Sequence, residues 1–210
     1  MEELLEMTEE QYEESLTLYE CGLRSVRAQV ENAVEILKSI GQPISVQIES
    51  RIKEYGSVMR KCANKKKIAP TLENMKKNIF DIAGLRIITP FTSDVYTIRD
   101  AIMSQPGIEV LEEKDYIKEP KKSGYHSLHL IVSVQMPYKG ITKSVPVEIQ
   151  LRTLTMHVWA TIEHELQYRN KDSSEEMAEM FAKTSSFLTN FDHEAEEIRN
   201  ALRAKVSSTV

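Results

Sequence analysis

The sequence is poor in the residues that build linkers, disulfides and membrane spans. Its 210 residues include 7 glycines, 7 prolines and 2 cysteines. No glycine- or proline-rich linker divides the chain, so a single domain over residues 1–210 is predicted. Cys21 and Cys62 are too few and too isolated for a disulfide framework or a cysteine-ligated metal site, which favours reduced thiols. No run reaches the ~18 apolar residues of a membrane span and no secretory leader is evident, so a cytoplasmic protein with no membrane partner is expected.

Basic charge is also in short supply. The chain has 27 Lys and Arg against 32 Asp and Glu, a net charge of -5. This balance argues against general binding to a polyanion such as nucleic acid. The charge is uneven, however, because residues 51–67 carry seven basic residues and one acidic residue. This basic run predicts a local anion site on an acidic protein.

Apolar residues recur at alternating steps of four and three near both ends of the chain. The pattern predicts long helices over residues 9–40 and 174–205, each with a heptad-like seam. One small sheet is not expected to cover both seams. We therefore predict a homo-oligomer, most simply a homotetramer, assembled through these flanking helices.

The segment between these helices predicts a sheet with short helices around it, an α+β fold of four or five strands. Alternating or apolar runs predict strands at residues 80–88, 108–117, 125–135 and 144–153. Helical patterns predict helices at residues 45–62, 70–78, 91–104 and 154–169. The turn at Lys139-Gly140 is predicted to join the last two strands.

The strand at residues 144–153 separates two kinds of side chain. Its valines, isoleucine and leucine point to one face, and Glu148, Gln150 and Arg152 point to the other. Thr153 suits the N-cap of the helix that follows. An ordinary half-exposed strand also alternates in this way, but three functional groups on one face are typical of the edge of a pocket.

Two carboxylates suit a magnesium site. Asp81 and Glu148 each lie at an end or on a polar face of a predicted strand, and Mg²⁺ takes one or two carboxylates together with waters and substrate phosphates. The alternative is that both are solvated acids at strand edges.

Two further groups of residues suit a nucleotide. Lys53, Ser57, Arg60 and Lys61 are predicted to share one side of a helix, with Arg51 nearby at its entrance, and guanidinium and ammonium groups on one face suit a triphosphate. The alternative is a solvated basic face.

In the loop at 118–129, Gly124 allows close approach of a ligand and Tyr125 is placed to stack on a base. The alternative is a hairpin loop with a core tyrosine.

Four segments in order resemble the synthetase domain of RelA/SpoT enzymes, in particular the small stand-alone alarmone synthetases. They are Arg-x-Lys-x-x-x-Ser-x-x-Arg-Lys at 51–61, Asp-Ile-Ala-Gly-Leu-Arg at 81–86, Tyr-Ile-Lys-Glu-Pro-Lys-Lys-Ser-Gly-Tyr-His-Ser-Leu-His at 116–129 and Glu-Ile-Gln-Leu-Arg-Thr at 148–153. The resemblance covers a catalytic core of about residues 45–170. It implies a nucleotidyltransferase-like mixed sheet and transfer of the β,γ-pyrophosphate of ATP to the 3′-hydroxyl of GDP or GTP, which gives (p)ppGpp and AMP.

The resemblance also implies roles for single residues. Arg51 and Arg86 sandwich the adenine, while Lys53, Ser57 and Lys61 hold the ATP phosphates. Asp81 and Glu148 bind magnesium, and Glu148 is a candidate acceptor of the 3′-hydroxyl proton. Tyr125 stacks on the guanine, and Lys121, His129, Gln150 and Arg152 complete the acceptor site.

Some positions depart from the family pattern. No His-Asp dipeptide of the family's hydrolase domain occurs, so degradation of the product is not expected. Ser123 stands where long relatives have Asn. His157 stands where relatives often have Asn or Asp, which leaves regulation by a (p)ppGpp effector open. Packing is favoured over zinc binding for His157 and His164, because no third ligand has metal spacing.

Three rival functions stay open. The first two are a toxic relative that pyrophosphorylates the 3′ end of tRNA and an enzyme that makes adenosine alarmones. The acidic composition and Tyr125 favour a free nucleotide over tRNA. The third is an RNA-binding or scaffolding module on an inactive core, which Asp81 and Glu148 argue against, since an inactive site has no physical need for paired acids.

Overall fold

A five-stranded mixed sheet with helices packed on it forms the framework of the chain. The computed structural model describes residues 6–169 and 175–207. The helices are α1 (Glu9–Ser39), α2 (Tyr55–Arg60), α3 (Leu72–Asn78), α4 (Thr92–Met103), α5 (Leu154–Arg169) and α6 (Glu175–Ser207), with a π-helical segment at Lys61–Lys66. The strands are β1 (Gln47–Ile52), β2 (Ala83–Thr89), β3 (Glu109–Asp115), β4 (Leu128–Tyr138) and β5 (Ile141–Thr153).

The strands lie in the order β1-β2-β5-β4-β3. Only the β2–β5 pair within this sheet is parallel; the other three pairs are antiparallel. β4 and β5 form a long hairpin, and its turn places Lys139 at φ 48° and Gly140 at φ 80°. Two consecutive positive φ values are typical of the tight hairpin turns whose twist matches that of the strands. The predicted α+β fold, with its mixed sheet and two long terminal helices, is confirmed.

β5 divides its side chains between two faces as predicted. Val145, Val147, Ile149 and Leu151 are all buried in the core. Glu148, Gln150 and Arg152 project from the opposite face. This central strand therefore presents a row of polar groups while its other side supports the core.

Helix α1 covers the core face of the sheet. A capping box at its start joins Thr8 and Gln11, which satisfies two backbone N–H groups there. Its predicted seam is buried within the chain, from Tyr12 through Val26 to Leu37, against β4, β5 and α4. The prediction of an oligomer depended on two uncovered seams. The seam of α1 does not support it, because the sheet and helix α4 of the same chain cover that seam.

The prediction of one helix over residues 45–62 is wrong. Residues Gln47–Ile52 form the edge strand β1, which pairs with β2, and the helix is only the short α2 followed by the π-helical segment. The β-branched Val46, Ile48 and Ile52 have the period of two of a strand, and pairing of Gln47–Ile52 with β2 satisfies the backbone of β1. Arg51 thus lies on a strand and Lys53 just after it, rather than both lying on a helix.

Helix α6 is attached to the rest of the chain by polar contacts and by the ring of Phe181, which packs edge-on against Trp159. The Ser185 hydroxyl donates to the carbonyl of Gly124 at 2.5 Å, and the Thr153 hydroxyl donates to Asp192 at 2.7 Å. Arg199 pairs with Asp94 at 2.7 Å. The opposite side of α6 exposes large apolar side chains: Met180, Phe187, Phe191, Ile198 and Leu202. The C-terminal seam is therefore split, with Phe191 and Ile198 facing outward; residue 174, where it was predicted to begin, lies outside the described residues.

The described helices include none with the length and apolarity needed to cross a membrane.

Candidate active site

The polar face of β5 forms part of the wall of a cavity of about 660 Å³. Nine of the residues predicted for the site line it: Arg51, Lys53, Asp81, Arg86, Lys121, Tyr125, Glu148, Gln150 and Arg152. Ser57 and Lys61 line an adjoining cavity of about 250 Å³, which shares Lys53, Lys65 and Asp81 with the first. His129 reaches the site through hydrogen bonds described below. The structure thus brings all twelve predicted residues together.

Sheet register explains how these residues converge. Gly84 lies opposite Arg51 on β1 and beside Glu148 on β5, and Arg86 lies beside Gln150. A Cβ on Gly84 would lie 3.4 Å from Cγ of Arg51. The missing side chain therefore lets Arg51 lie across β2 toward the polar face of β5.

Arg86 is held in place by an acidic neighbour. Its Nη1 lies 2.9 Å from Oε2 of Glu49, the residue opposite it on β1. Both arginines, Arg51 and Arg86, line a small recess next to the main cavity. Two guanidinium groups on neighbouring strands can stack on the two faces of a planar base.

Asp81 lies just before β2 and is buried. Its Oδ2 accepts from Lys53 at 2.9 Å and from Lys61 at 2.7 Å, whereas its Oδ1 is buried with no hydrogen-bond partner in the described structure. Burial raises the pKa of Asp81, but the hydrogen bond from Lys61 and the charges of both lysines outweigh it and lower the pKa. The carboxylate is ionised, with one oxygen available to a cation.

Glu148 receives a hydrogen bond on each of its carboxylate oxygens. Gln150 Nε2 donates to Oε2 at 2.8 Å, and Nδ1 of His129 lies 3.4 Å from Oε1. Burial raises the pKa of Glu148, but the hydrogen bond and charge of His129, together with the hydrogen bond from Gln150, bring it below its usual value. The negative charge of Asp81 opposes this lowering, which places the two carboxylates within electrostatic range of each other.

Arg152 connects to Glu148 through two paths. Its Nη2 donates to Gln150 Oε1 at 2.8 Å and also to the hydroxyl of Tyr125. The Tyr125 hydroxyl lies 2.8 Å from Nε2 of His129. With Arg152 as a donor to Tyr125, the hydroxyl proton points to Nε2 of His129, and Nδ1 of the same ring faces Glu148. The five side chains form a closed ring of hydrogen bonds.

Tyr125 lies in an aromatic and cationic cluster just before β4. Its ring meets those of Tyr116 and His129 edge-on, with centroid distances of 6.0 and 5.9 Å. Nζ of Lys121 lies 4.5 Å from the ring centroids of both Tyr125 and Tyr116. The Lys121 ammonium group therefore lies over both rings, and burial lowers the pKa of Lys121.

The carboxylates fit a magnesium ion better than a zinc ion. The described residues contain no group of three or more His, Cys, Asp or Glu that could hold a metal ion. Mg²⁺ does not need such a group, because water and substrate phosphates supply most of its ligands. The buried Oδ1 of Asp81 and the ionised Glu148 are suitable oxygen ligands.

Sequence reasoning missed several residues at this site. Lys65 lines both cavities, Glu163 lines the main cavity from α5, and Tyr116 supports Lys121. The lysine run at 65–67 and the quoted motif that begins with Tyr116 were the available signals. Nδ1 of His157 is buried with no hydrogen-bond partner among the described residues. Burial first and then the charge of Arg86 lower the pKa of His157.

Comparison with known proteins identifies the family. Residues 50–173 match the region found in RelA / SpoT proteins. The chain belongs to the RelA/SpoT family. It is 30% identical over 199 residues to GTP pyrophosphokinase YjbM of Bacillus subtilis, a match that covers 94% of this chain and 92% of YjbM. It is 36% identical over 132 residues to GTP pyrophosphokinase YwaC of the same organism, but that match covers 62% of each chain.

The likeness extends to structure. The crystal structure of small alarmone synthetase 1 from Bacillus subtilis, bound to its product pppGpp, superposes with a TM-score of 0.81 at 31% identity. That match covers 92% of this chain and 99% of the synthetase. The polar cavity thus belongs to a fold that, in this relative, binds an alarmone.

Proposed function

We propose that this protein is a GTP pyrophosphokinase: it transfers the β,γ-pyrophosphate of ATP to the 3′-hydroxyl of GDP or GTP and releases AMP and (p)ppGpp. The observation that carries this proposal is the meeting of the carboxylates Asp81 and Glu148 with Lys and Arg side chains in one cavity of about 660 Å³, whose lining has six Lys and Arg against four Asp and Glu. Two polyphosphates need such an excess of positive charge. Transfer between them depends on positioning and charge neutralisation.

In the donor half of the cavity, Arg51 and Arg86 would hold the adenine. The ion pair with Glu49 holds one end of the Arg86 guanidinium near this position. Lys53, Ser57 and Lys61 would bind the ATP phosphates from the adjoining cavity. Both lysines pair with Asp81 without substrate, so phosphate oxygens would take over part of the role of that carboxylate.

Asp81 and Glu148 would hold Mg²⁺ together with phosphate oxygens. The bound ion supplies neutralisation of charge on the transferring group. The lowered pKa values keep both carboxylates ionised at neutral pH. A lowered pKa also makes Glu148 a weak base, so its contribution to removing the 3′-hydroxyl proton lies in holding the hydroxyl at an ionised oxygen.

In the acceptor half, the ring of Tyr125 would stack on the guanine once Lys121 moves from the ring face to the acceptor phosphates. Gln150, His129 and Arg152 would set the position of the acceptor sugar and Glu148 through their closed ring of hydrogen bonds. A hydrogen-bonded ring of this kind cannot move one member without moving the others. This arrangement orients the 3′-hydroxyl relative to the donor phosphate.

The rival functions are not favoured. YjbM and YwaC are both named GTP pyrophosphokinases, and the synthetase of similar structure binds pppGpp. These relatives support a guanosine acceptor over the tRNA 3′ end or an adenosine nucleotide. The intact pair Asp81 and Glu148 supports an enzyme over an RNA-binding or scaffolding module.

Assembly, location and regulation extend the proposal. The exposed apolar side of α6 supports a homo-oligomer, for which a tetramer is the hypothesis. The proposed location is the cytoplasm. Feedback by a (p)ppGpp effector is proposed as well and is tested by adding product to the assay described next.

One assay tests the reaction. Purified protein with Mg²⁺ and ATP receives GDP, GTP, no acceptor or tRNA, and the products are separated by anion exchange. We expect AMP with ppGpp or pppGpp only in the GDP and GTP reactions. Label transferred to tRNA with unreacted GDP and GTP would support the toxic relative. Absence of transfer to every acceptor would support the non-catalytic module.

A further inference from the structure

A second cavity lies near the hairpin end of β5, away from the residues described above. Its volume is about 330 Å³, within the range of small-ligand pockets. It is lined by Ser15, Leu18, Tyr19, Lys76, Tyr138, Lys143, Ser144, Val145 and Pro146. None of these residues lines the active-site cavity, the recess beside Arg51 or the adjoining cavity.

Two lysines face this cavity without acidic partners. Lys76 comes from α3 and Lys143 from β5, and neither forms an ion pair within residues 6–169 and 175–207. Burial first and then the charge of Lys143 lower the pKa of Lys76. Two ammonium groups that repel each other at the edge of a cavity are stabilised by a shared anion.

Tyr19 adds a hydroxyl group to the wall of this cavity. Its side chain is 4% exposed and lines the cavity from α1. Its hydroxyl makes no hydrogen bond to any residue of the described structure, and burial raises its pKa to about 12. The ring of Tyr19 is buried, but its hydroxyl oxygen is not sealed from solvent, so it can reach a group inside the cavity. It remains a donor for a group inside the cavity.

The rest of the lining is apolar or aromatic. Leu18, Val145 and Pro146 form an apolar wall, and the ring of Tyr138 lies beside them. Nζ of Lys143 lies 4.8 Å from the centroid of that ring. The cavity therefore combines a cationic edge with an apolar interior, which suits an anion that carries a flat or apolar body.

We propose that this cavity binds a phosphomonoester with an aromatic or apolar body, separately from the nucleotide site. Lys76 and Lys143 bind the phosphate oxygens, the Tyr19 hydroxyl donates to the same group, and the body packs on Leu18, Val145 and Pro146. A phosphate dianion matches two lysines in charge and offers enough acceptors for all three donors. This inference does not depend on the proposed reaction.

Methyl NMR of the full chain tests the proposal with phenyl phosphate as the probe. Methyl groups of Leu18 and Val145 report on this cavity, and those of Leu85 report on the recess beside Arg51. We expect saturable shifts at Leu18 and Val145. Inorganic phosphate and phenol, each alone, are expected to bind at least about tenfold more weakly, because each lacks half of the interactions.

Matched lysine variants locate the phosphate. Lys76→Gln and Lys143→Gln should each weaken binding about tenfold, and Tyr19→Phe about threefold. Lys77→Gln and Lys139→Gln are the controls, because these lysines neighbour the cavity in sequence but do not line it. Both controls should bind like the parent protein. Melting curves confirm that each variant is folded.

Three results would overturn the proposal. Shifts confined to Leu85 would mean that the probe occupies only the active site. Equal binding by Lys76→Gln, Lys143→Gln and the two controls would remove the phosphate contact. Phenol or inorganic phosphate binding as tightly as phenyl phosphate would show that the cavity does not recognise the combined ligand.

Discussion

Arg152 and Glu148, four residues apart on one face of β5, are joined by two separate paths of hydrogen bonds. One path runs through Gln150, and the other runs through Tyr125 and His129. The two paths end on different oxygens of the same carboxylate. A charged group that would contact the acceptor thereby fixes the orientation of a carboxylate that would contact the metal and the reacting hydroxyl.

Glu148→Gln should lower transfer at least about a hundredfold, since the amide has the shape of the carboxylate without its charge. The fold should persist, because the amide oxygen still accepts from either Gln150 or His129 and the residue lies on the cavity wall. Initial rates of AMP and (p)ppGpp formation measure the change, with thermal melting as the check on folding. Glu109→Gln, an exposed change on β3, should leave the rate unaltered. Turnover of Glu148→Gln above about 10% of the parent rate would contradict a metal-binding role.

Asp81→Asn should lower both activity and stability, because the change leaves Lys53 and Lys61 without their shared carboxylate. The folded-state pKa of Asp81 is lowered. Its stabilising contribution is therefore present above the unfolded pKa of about 3.9 and is lost as pH falls through the lower folded value. Melting curves of both proteins between pH 7 and pH 3 measure this. The difference in Tm should be largest near neutrality and shrink below about pH 4. A constant difference would contradict the ion-pair explanation.

Tyr125→Ala should raise the acceptor KM about tenfold to a hundredfold, which corresponds to a loss of ~1–3 kcal/mol of base stacking. The ATP KM should barely change, because Arg51 and Arg86 lie on other strands. Tyr125→Phe keeps the ring but loses the hydroxyl that links Arg152 to His129, so it should show an intermediate effect on the acceptor. Steady-state kinetics with each substrate varied in turn separate the two sites. Equal damage to both substrates with a lowered Tm would assign Tyr125 to the core instead.

The structure changes one expectation about Tyr125. Its sequence context indicates a ring that stacks on a base, and nothing in that context reveals the hydroxyl contacts. Arg152 comes from β5, 27 residues away, and the contact with it depends on the pairing of β4 with β5. A local sequence pattern can identify a functional residue. Its hydrogen-bond partners, however, depend on strand register, which a local pattern does not determine.

The same limit explains the error at residues 45–62. Val46, Ile48 and Ile52 fit a strand, but charged and polar residues at three- and four-residue steps also fit a helix, so the local pattern is ambiguous. Pairing with β2, more than 30 residues away, decides in favour of the strand. By contrast, β5 and α5 were predicted well, because alternation over ten residues and a Thr153 boundary leave less ambiguity.

The heptad-like seam of α1 shows a related limit. Its spacing indicates a long apolar stripe but does not say what covers that stripe. Its own sheet covers α1, whereas large apolar groups on α6 remain exposed. Spacing alone cannot distinguish a helix packed on its own core from one packed on a partner.

The exposed side of α6 predicts assembly. Phe187 and Phe191 are 71% and 57% exposed, and with Met180, Ile198 and Leu202 they form a stripe with steps of seven and four. We expect light scattering to give the mass of a tetramer at micromolar concentration. The double change Phe187→Asp and Phe191→Asp should give a smaller species, while Lys183→Glu on the same helix should leave the mass unchanged. A monomeric parent protein would contradict the oligomer.

Two glycines with similar positive φ values offer a matched test of how α6 supports the acceptor loop. Gly124 has φ +77° and Gly140 has φ +80°, so an alanine at either position should cost about 1–2 kcal/mol from the backbone alone. A Cβ at Gly140 would meet nothing within 4 Å, whereas one at Gly124 would lie 2.5 Å from Cβ of Ser185. Gly124→Ala must therefore also displace α6 or Tyr125. We expect Gly140→Ala to lower Tm modestly with unchanged kinetics, and Gly124→Ala to lower Tm further and raise the acceptor KM. Equal losses of stability with unchanged kinetics in both variants would show that the contact between Gly124 and Ser185 does not support the site.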